Sequence, residues 1–387
     1  MHPTAIRFGM TTFGADRGRS GIGTYVLNLV REFELMALGD RFELVSSPAE
    51  RSDFAPLHAG FGVVEAAVRQ GPLPEVLWHH TGLPRLVAAR GWDVLFLPAG
   101  NRRLVFRAPC PMVATVHDLA SSHLHDKYDP LRSVYNRRVI PGLIRRLAHV
   151  ITVSQCSKQD IVRHAGIDPD RVTVIPNGVD HRRFRPRDAA LAAERVAGRL
   201  GVTGPYLLYV ARLEHPAKNH VRLIKAFDRL KVATGLPHTL VLAGPDWTGA
   251  ATIHAEIGRA RHAASIRTLG FVAGGDLPDL YAAADLMVFP SLYEGFGIPL
   301  IEAMAMGTVV ASSNAASLPE VGGDAALYFD PRDEQAIAGT LERLLTDSAL
   351  AADLRRRGLA RAAAYTWRRT AEATLETLTR TAEHHHG

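Results

Sequence analysis

The sequence predicts an α/β protein built from two doubly wound parallel-sheet domains. Three observations carry that expectation. Short apolar runs alternate with helix-period stretches along most of the chain. The alternation breaks at 181–205, a stretch rich in charge, proline and glycine, and then restarts. At 387 residues the chain has room for two or three domains of about 150 residues each.

In the first half, strands are expected at 5–10 (AIRFGM), 41–47 (RFELVSS), 93–98 (DVLFLP), 111–118 (PMVATVHD), 149–154 (HVITVS) and 172–178 (VTVIPNG). Helices fit at 22–38, 131–147 and 155–165. The first of these follows GRSGIGTY, so Gly21 and Gly23 lie between a strand and a helix N-terminus, a place suited to an anion.

The second half repeats the order. Strands are expected at 206–212, 238–245, 267–272, 286–291, 308–313 and 325–331. Helices are expected at 219–235, 277–285, 299–307, 333–348 and 350–363. Residues 181–205 are expected to be the linker. In such sheets ligands bind beyond the carboxyl ends of the strands, so polar groups at strand ends or helix starts are the ones to weigh.

Composition narrows the class. Hydrophobic residues make up 47% and charged residues 22%, an ordinary soluble balance. Cys110 and Cys156 are too few and too far apart for a disulfide framework, which suggests buried thiols in a reducing, cytoplasmic setting. No apolar run reaches the roughly 18 residues that span a bilayer. Residues 1–190 carry 25 basic and 18 acidic side chains, whereas 191–387 carry 20 and 21. The basic first half favours an anionic partner or is a solvated arginine-rich face. Its basic residues are not interleaved with stacking aromatics, so no nucleic-acid partner is expected.

Two stretches carry chemistry. In ARLEHPAKN, Arg212 and Lys218 lie between a strand and a helix. A guanidinium that bridges two oxygens and an ammonium point charge make a diphosphate clamp. In PSLYEGFGIPLIE, Glu294 lies in a glycine-rich turn and Glu302 in the helix-like run after it. A carboxylate on such a helix accepts both hydroxyls of a ribose. One in the turn faces a sugar or a developing positive charge. The intervening GFG lets backbone N–H groups approach a ligand. Taken alone, the two glutamates are equally helix-capping carboxylates.

Together these segments resemble the retaining glycosyltransferases of family 4, with their E-x7-E signature. The resemblance spans nearly the whole chain. It includes GRSGIGTYVLNLV, TVHDL at 115–119, VSQCSKQDI, VIPNGVD, VARLEHPAKNHVRLIKAF, LGFV, DLPDLYAAADLMVFPS, SLPEVGGDAALYFDP and YTWRRTAEATLETL. It is strongest toward bacterial mannosyl- and related hexosyltransferases of polysaccharide or glycoconjugate assembly.

The resemblance implies the GT-B fold: two Rossmann-like domains facing a central cleft, here 1–188 for the acceptor and 189–365 for the nucleotide sugar. A last helix, 366–387, crosses back to the first domain with Trp367 as its anchor. The implied site has Arg212 and Lys218 on the donor diphosphate and Glu302 on its ribose. Glu294 lies near the sugar C3 and C4 hydroxyls, with backbone amides of Phe296, Gly297 and Ile298 helping. Gly21 and Gly23 let the first loop approach phosphates or acceptor. His117 faces the sugar C6 hydroxyl or the anomeric centre, and Asp118 contacts the acceptor or caps a helix. Arg212, Lys218, Glu294 and His117 are the expected catalytic group.

The implied reaction is hexose transfer with retention, no metal required. GDP-mannose is the favoured donor, and UDP- and dTDP-sugars are the alternatives. The acceptor is a glycan, a lipid-linked glycan or a small molecule such as a natural-product aglycone. A catalytically silent relative that only binds nucleotide sugar is the rival. A nicotinamide dehydrogenase is disfavoured because GRSGIGTY lacks the G-x-G-x-x-G spacing. Two features depart from the family pattern. Ala211 stands where glycine is common, and Arg212 and Lys218 are six apart rather than five, which leads one to expect a loop bowed outward.

His79, His80, His123 and His125 are expected to be loop or surface histidines, and His215 lies inside the clamp loop. The 131–147 run, with Arg132, Arg137, Arg138, Arg145 and Arg146, is a basic helix that either rests on anionic membrane or presents a solvated face.

Overall fold

A computed structural model of the protein describes residues 6–14, 16, 20–47, 60–66, 68, 71–100, 103–119 and 135–386. Arg132, His123 and His125 lie outside the described residues. Among the described residues the chain divides into two compact units. One runs through Gly178 and takes in the last helix from Trp367; the other is Val179–Thr366.

The first unit holds seven strands: β1 (Phe8–Thr11), β2 (Phe42–Ser46), β3 (Gly62–Glu65), β4 (Val94–Leu97), β5 (Met112–Thr115), β6 (His149–Thr152) and β7 (Val172–Val174). They form one parallel sheet in the order β3-β2-β1-β4-β5-β6-β7. Phe8 pairs with Phe42 on one side and with Val94 on the other, so the strand order reverses between β1 and β4. Every residue of β1, β4 and β5 is buried. That explains their continuous apolar character, because helices cover both faces of such a sheet.

Among the described residues, α1 (Gly21–Leu35), α2 (Pro72–Arg90), α3 (Ile140–Ile144) and α4 (Gln155–Ala165) flank this sheet. Ser20 and Ser154 cap α1 and α4, each hydroxyl accepting a first-turn N–H. β3 and α2 were not among the expected elements. β3 is a short, partly exposed edge strand. α2 contains Pro84 and opens on proline, so its sequence reads as interrupted. His79 lies on α2 and is buried, its Nδ1–H donating to Glu75 O at 2.6 Å. It is neither a loop nor a surface residue, and burial lowers its pKa to about 4. Of the expected helix at 131–147, residues 131–134 lie outside the described residues, and the rest is not one regular helix. A π-helical turn, Tyr135–Val139, runs into the short α3, which begins at Ile140 with Pro141 in its first turn and ends at Ile144. Proline has no N–H to donate and fits only a first turn.

The second unit holds β8 (Tyr206–Val210), β9 (Thr239–Ala243), β10 (Ile266–Gly270), β11 (Leu286–Phe289), β12 (Val309–Ser313) and β13 (Leu327–Phe329). This sheet is parallel in the order β10-β9-β8-β11-β12-β13, reversing between β8 and β11. Its helices are α5 (Ala189–Leu200), α6 (His220–Thr234), α7 (Ala250–Arg259), α8 (Leu277–Ala282), α9 (Ile298–Ala305), α10 (Leu318–Gly322), α11 (Glu334–Thr346) and α12 (Ser348–Ala363).

The stretch at 181–205 is not a bare linker. Asp188 accepts the N–H of Leu191 at 3.0 Å and caps α5. The alanine-rich α5 buries Ala192 and Val196 and packs on α8. Residues 179–188 group with the second unit, not the first. Val179 N–H bonds Tyr365 O at 3.3 Å, and Arg187 pairs with Asp279 at 2.6 Å.

The last helix, α13 (Trp367–His386), belongs to the first unit and packs on α1. Trp367 is buried, its ring 6.1 Å from that of Tyr25. Threonine occupies much of the covered face. Thr374, Thr377 and Thr381 donate to carbonyls one turn back, and Thr370 donates to Pro176 O at 2.8 Å, so burial leaves these hydroxyls bonded. Cys110 and Cys156 form no disulfide and are half-buried, and burial pushes the Cys110 thiol up to about 11. No helix among the described residues is long and apolar enough to cross a membrane.

Candidate active site

In the second sheet the strand order reverses between β8 and β11, and the loops leaving these two strands carry the predicted residues. The β8 loop holds Arg212 and Lys218; the β11 turn holds Glu294 and leads into α9 with Glu302. The two loops are joined through backbone, Leu292 N–H donating to Ala217 O at 3.0 Å.

The β8 loop does not bow outward. It is laddered onto the loop after β9. Leu213 N–H donates to Pro245 O at 2.9 Å, Trp247 N–H to Leu213 O at 3.1 Å and His215 N–H to Thr248 O at 3.0 Å. Gly244 permits this approach, since a Cβ there would sit 2.0 Å from Ala211 O. Arg212 lies at the start of this ladder. Its guanidinium donates to Glu214 Oε2 at 3.1 Å and stands 4.5 Å from the Trp247 ring centroid.

Lys218 Nζ donates to Glu294 Oε1 at 2.6 Å. Both side chains are largely buried, at 18% and 14% exposure, so water screens the pair weakly. Asn219, in the left-handed backbone region at φ 59°, fixes the end of the loop. Its amide donates to Pro290 O at 3.0 Å and Pro331 O at 2.6 Å. Tyr209 OH donates to Lys218 O at 2.9 Å and bonds Ser291 Oγ at 3.1 Å. Ser317 Oγ donates to Glu294 O at 2.8 Å. Lysine and glutamate are therefore held from both ends by buried polar groups.

Gly297 precedes α9 at φ 94°, a conformation that favours glycine, and no side chain caps the helix N-terminus there. Phe296 and Ile298 are buried beside it. Glu302 is buried on α9 and accepts from Tyr281 OH at 3.1 Å. Burial raises its pKa to about 7, against the lowering effects of Arg183 and of the Tyr281 hydrogen bond. The second unit therefore offers two cations, each bonded to a carboxylate, and one carboxyl poised near neutrality.

In the first unit, Gly21 and Gly23 open α1. Gly23 N–H is already spent on Ser20 Oγ at 3.2 Å. Much of the preceding loop lies outside the described residues. His117 follows β5, the second strand beyond the reversal of that sheet. It is buried, packs edge-on against Tyr25 at 4.7 Å and donates from Nε2 to Pro98 O at 2.9 Å. In the neutral ring that leaves Nδ1 as the acceptor nitrogen.

Arg212, Lys218, Glu294 and Glu302 thus lie on adjoining elements of one unit, and Gly21, Gly23 and His117 on the other. Sequence reasoning missed Tyr209, Asn219, Ser291, Ser317, Trp247 and Tyr281, the residues that hold the predicted ones. Only Asn219, next to Lys218, carried a local signal. Ser291, Ser317, Trp247 and Tyr281 act across longer sequence separations. Among the described residues no group of three or more His, Cys, Asp or Glu is arranged to hold a metal ion.

Among the described residues, two sheets of seven and six parallel strands, each reversing order at its centre, give the chain a GT-B fold. A family model described as Glycosyl transferases group 1 matches residues 193–361, and one described as Glycosyltransferase Family 4 matches residues 19–183. The chain belongs to glycosyltransferase family 4. It is 32% identical over 265 residues to the O-antigen chain mannosyltransferase B of Escherichia coli, covering 68% of each chain. It is 31% identical over 290 residues to the serotype-specific mannosyltransferase WbdA of Escherichia coli, covering 73% of this chain and 34% of that one. The chain thus spans about a third of the length of WbdA. Among solved structures, Anabaena Alr3699/HepE in complex with UDP-glucose superposes with a TM-score of 0.78 at 22% identity, covering 97% of this chain and all of that one.

Proposed function

We propose that this glycosyltransferase transfers a hexose, mannose from GDP-mannose in the favoured case, to a glycan, lipid-linked or small-molecule acceptor with retention of anomeric configuration. The second unit is the donor side and the first unit the acceptor side. Arg212 and Lys218 bind the diphosphate and offset the charge that grows on it as the glycosidic bond breaks, so no divalent ion is required. Glu302 accepts the ribose hydroxyls. Glu294 accepts sugar hydroxyls, with backbone amides at Phe296, Gly297 and Ile298. Gly21, Gly23 and His117 serve the acceptor and the transferred sugar.

The observation that carries this proposal is the 2.6 Å bond between Lys218 and Glu294. It brings the cation of one strand-end loop and the first acid of the signature to one point at the sheet reversal. The mannosyltransferase names of the 31–32% identical relatives support mannose as the sugar. A thermal-shift screen of GDP, UDP, dTDP and their sugars tests the donor. A nucleotide that binds the native state raises Tm by mass action. GDP and GDP-mannose are expected to stabilise most. A larger shift with UDP or dTDP compounds would replace the donor assignment, and no shift with any of them would remove the donor side altogether.

A further inference from the structure

We infer that Trp247 is a positioning residue for the transfer reaction. Its indole is a shelf that sets the plane of the Arg212 guanidinium before any donor arrives. The inference rests on the proposal that Arg212 binds the donor diphosphate.

An arginine side chain has several rotatable bonds, and ordering it costs rotamer freedom. A group that must meet diphosphate oxygens in one geometry works best when that cost is met in advance. Arg212 is constrained in two directions. Glu214, itself 3% exposed, takes one N–H at 3.1 Å and fixes the rotation of the guanidinium within its plane. The Trp247 ring lies 4.5 Å from the guanidinium carbon and closes off one face. A planar, weakly hydrated guanidinium suits such stacking, which an ammonium does not match.

The shelf is held by backbone, not by chance packing. Trp247 N–H donates to Leu213 O, the residue next to Arg212, and Ala250 N–H donates to Trp247 O at the start of α7. Gly249 lets the far end of the loop press on His215: its φ is 78°, and an added Cβ would meet His215 Cβ at 2.9 Å. Trp247 is still 52% exposed, far more than a side chain placed only to fill a core. Burial in a core therefore does not account for a tryptophan here, whereas the Arg212 guanidinium lies against its ring.

The test compares wild type, Trp247→Ala, Trp247→Phe, Arg212→Ala and Arg212→Ala/Trp247→Ala as full chains, with circular dichroism melting as the folding control. Kd is measured by calorimetry for GDP and for UDP, using whichever binds wild type more tightly. Trp247→Ala is expected to weaken binding about three- to tenfold, as for loss of one cation–π contact. Trp247→Phe should restore most of it. Adding Trp247→Ala to Arg212→Ala should cost nothing further, because the indole acts through the guanidinium. In parallel, the Arg212 side-chain Nε–H signal should show hindered rotation in wild type and free rotation in Trp247→Ala.

Wild-type affinity in Trp247→Ala, with Arg212→Ala impaired, would overturn the shelf and leave the clamp standing. Full additivity in the double variant would also overturn it, by making Trp247 a direct ligand contact. Unchanged affinity in Arg212→Ala would instead remove the donor clamp itself.

Discussion

Lys218 and Glu294 are 76 residues apart in sequence and joined by a 2.6 Å charge-assisted hydrogen bond, with little of either side chain exposed. Each is the natural partner of a different part of a nucleotide sugar: an ammonium for phosphate, a carboxylate for hydroxyls. In the structure they satisfy each other, which keeps both from standing as unmatched buried charges.

That relationship predicts non-additive stability. Lys218→Ala or Glu294→Ala alone leaves one charge largely buried and should cost about 2–3 kcal/mol. The double alanine variant should cost less than the two singles summed. Urea unfolding of the four proteins measures this, and simple additivity would show that the pair is not coupled.

Turnover should fall on the order of a hundredfold for Arg212→Ala and again for Lys218→Ala, as for loss of one preorganised charge contact in a transition state. Release of nucleoside diphosphate from the donor identified by thermal shift gives kcat directly. Near-normal kcat in either variant would count against the clamp.

Glu302 predicts a pH signature. Burial raises its folded pKa to about 7 from an ordinary value of 4.5. A raised acid contributes stability that is complete below its unfolded pKa and is lost as pH rises through the folded one. Wild type should therefore lose stability relative to Glu302→Gln between about pH 5 and 8, by on the order of 3 kcal/mol. Melting both proteins across that range checks it. Ribose hydroxyls donate to the ionised form, so nucleotide binding to wild type should also tighten from pH 6 to 8, while Glu302→Gln binds weakly at both. A flat wild-type profile would remove the ribose role.

Gly244→Ala should lower both Tm and activity. The new methyl would meet Ala211 O at 2.0 Å, and either the β9 loop or the Arg212 loop must move. Overpacking of this kind costs about 1–3 kcal/mol. A variant that melts and turns over like wild type would show that the two loops are not locked together.

Much of this protein was legible in its residues. Strand positions were readable because parallel strands covered on both faces are apolar throughout, as in VLFL of β4 and LMVF of β11. Glu302 on a helix and Glu294 in a turn followed from glycine and proline placement, and the structure has both there. The readings that failed lacked a local period. α5 looked like a linker because its buried face is only Ala192 and Val196. α2 carries Pro84, and β3 is a half-exposed edge. The outward loop failed because loop length says nothing about a neighbouring loop that can pair with it.

By itself, then, the sequence determined most of the buried strands, the strongly periodic helices and which residue types stand at their ends. Those follow from short-range backbone preference and the repeat of apolar side chains. Only the tertiary structure decided that Lys218 meets Glu294, that Arg212 lies on Trp247 and that Tyr281 bonds Glu302. These pairings cross tens of residues and depend on strand order and loop pairing. Distances of a few ångströms, with the charges they shift, arise only once the chain has closed on itself.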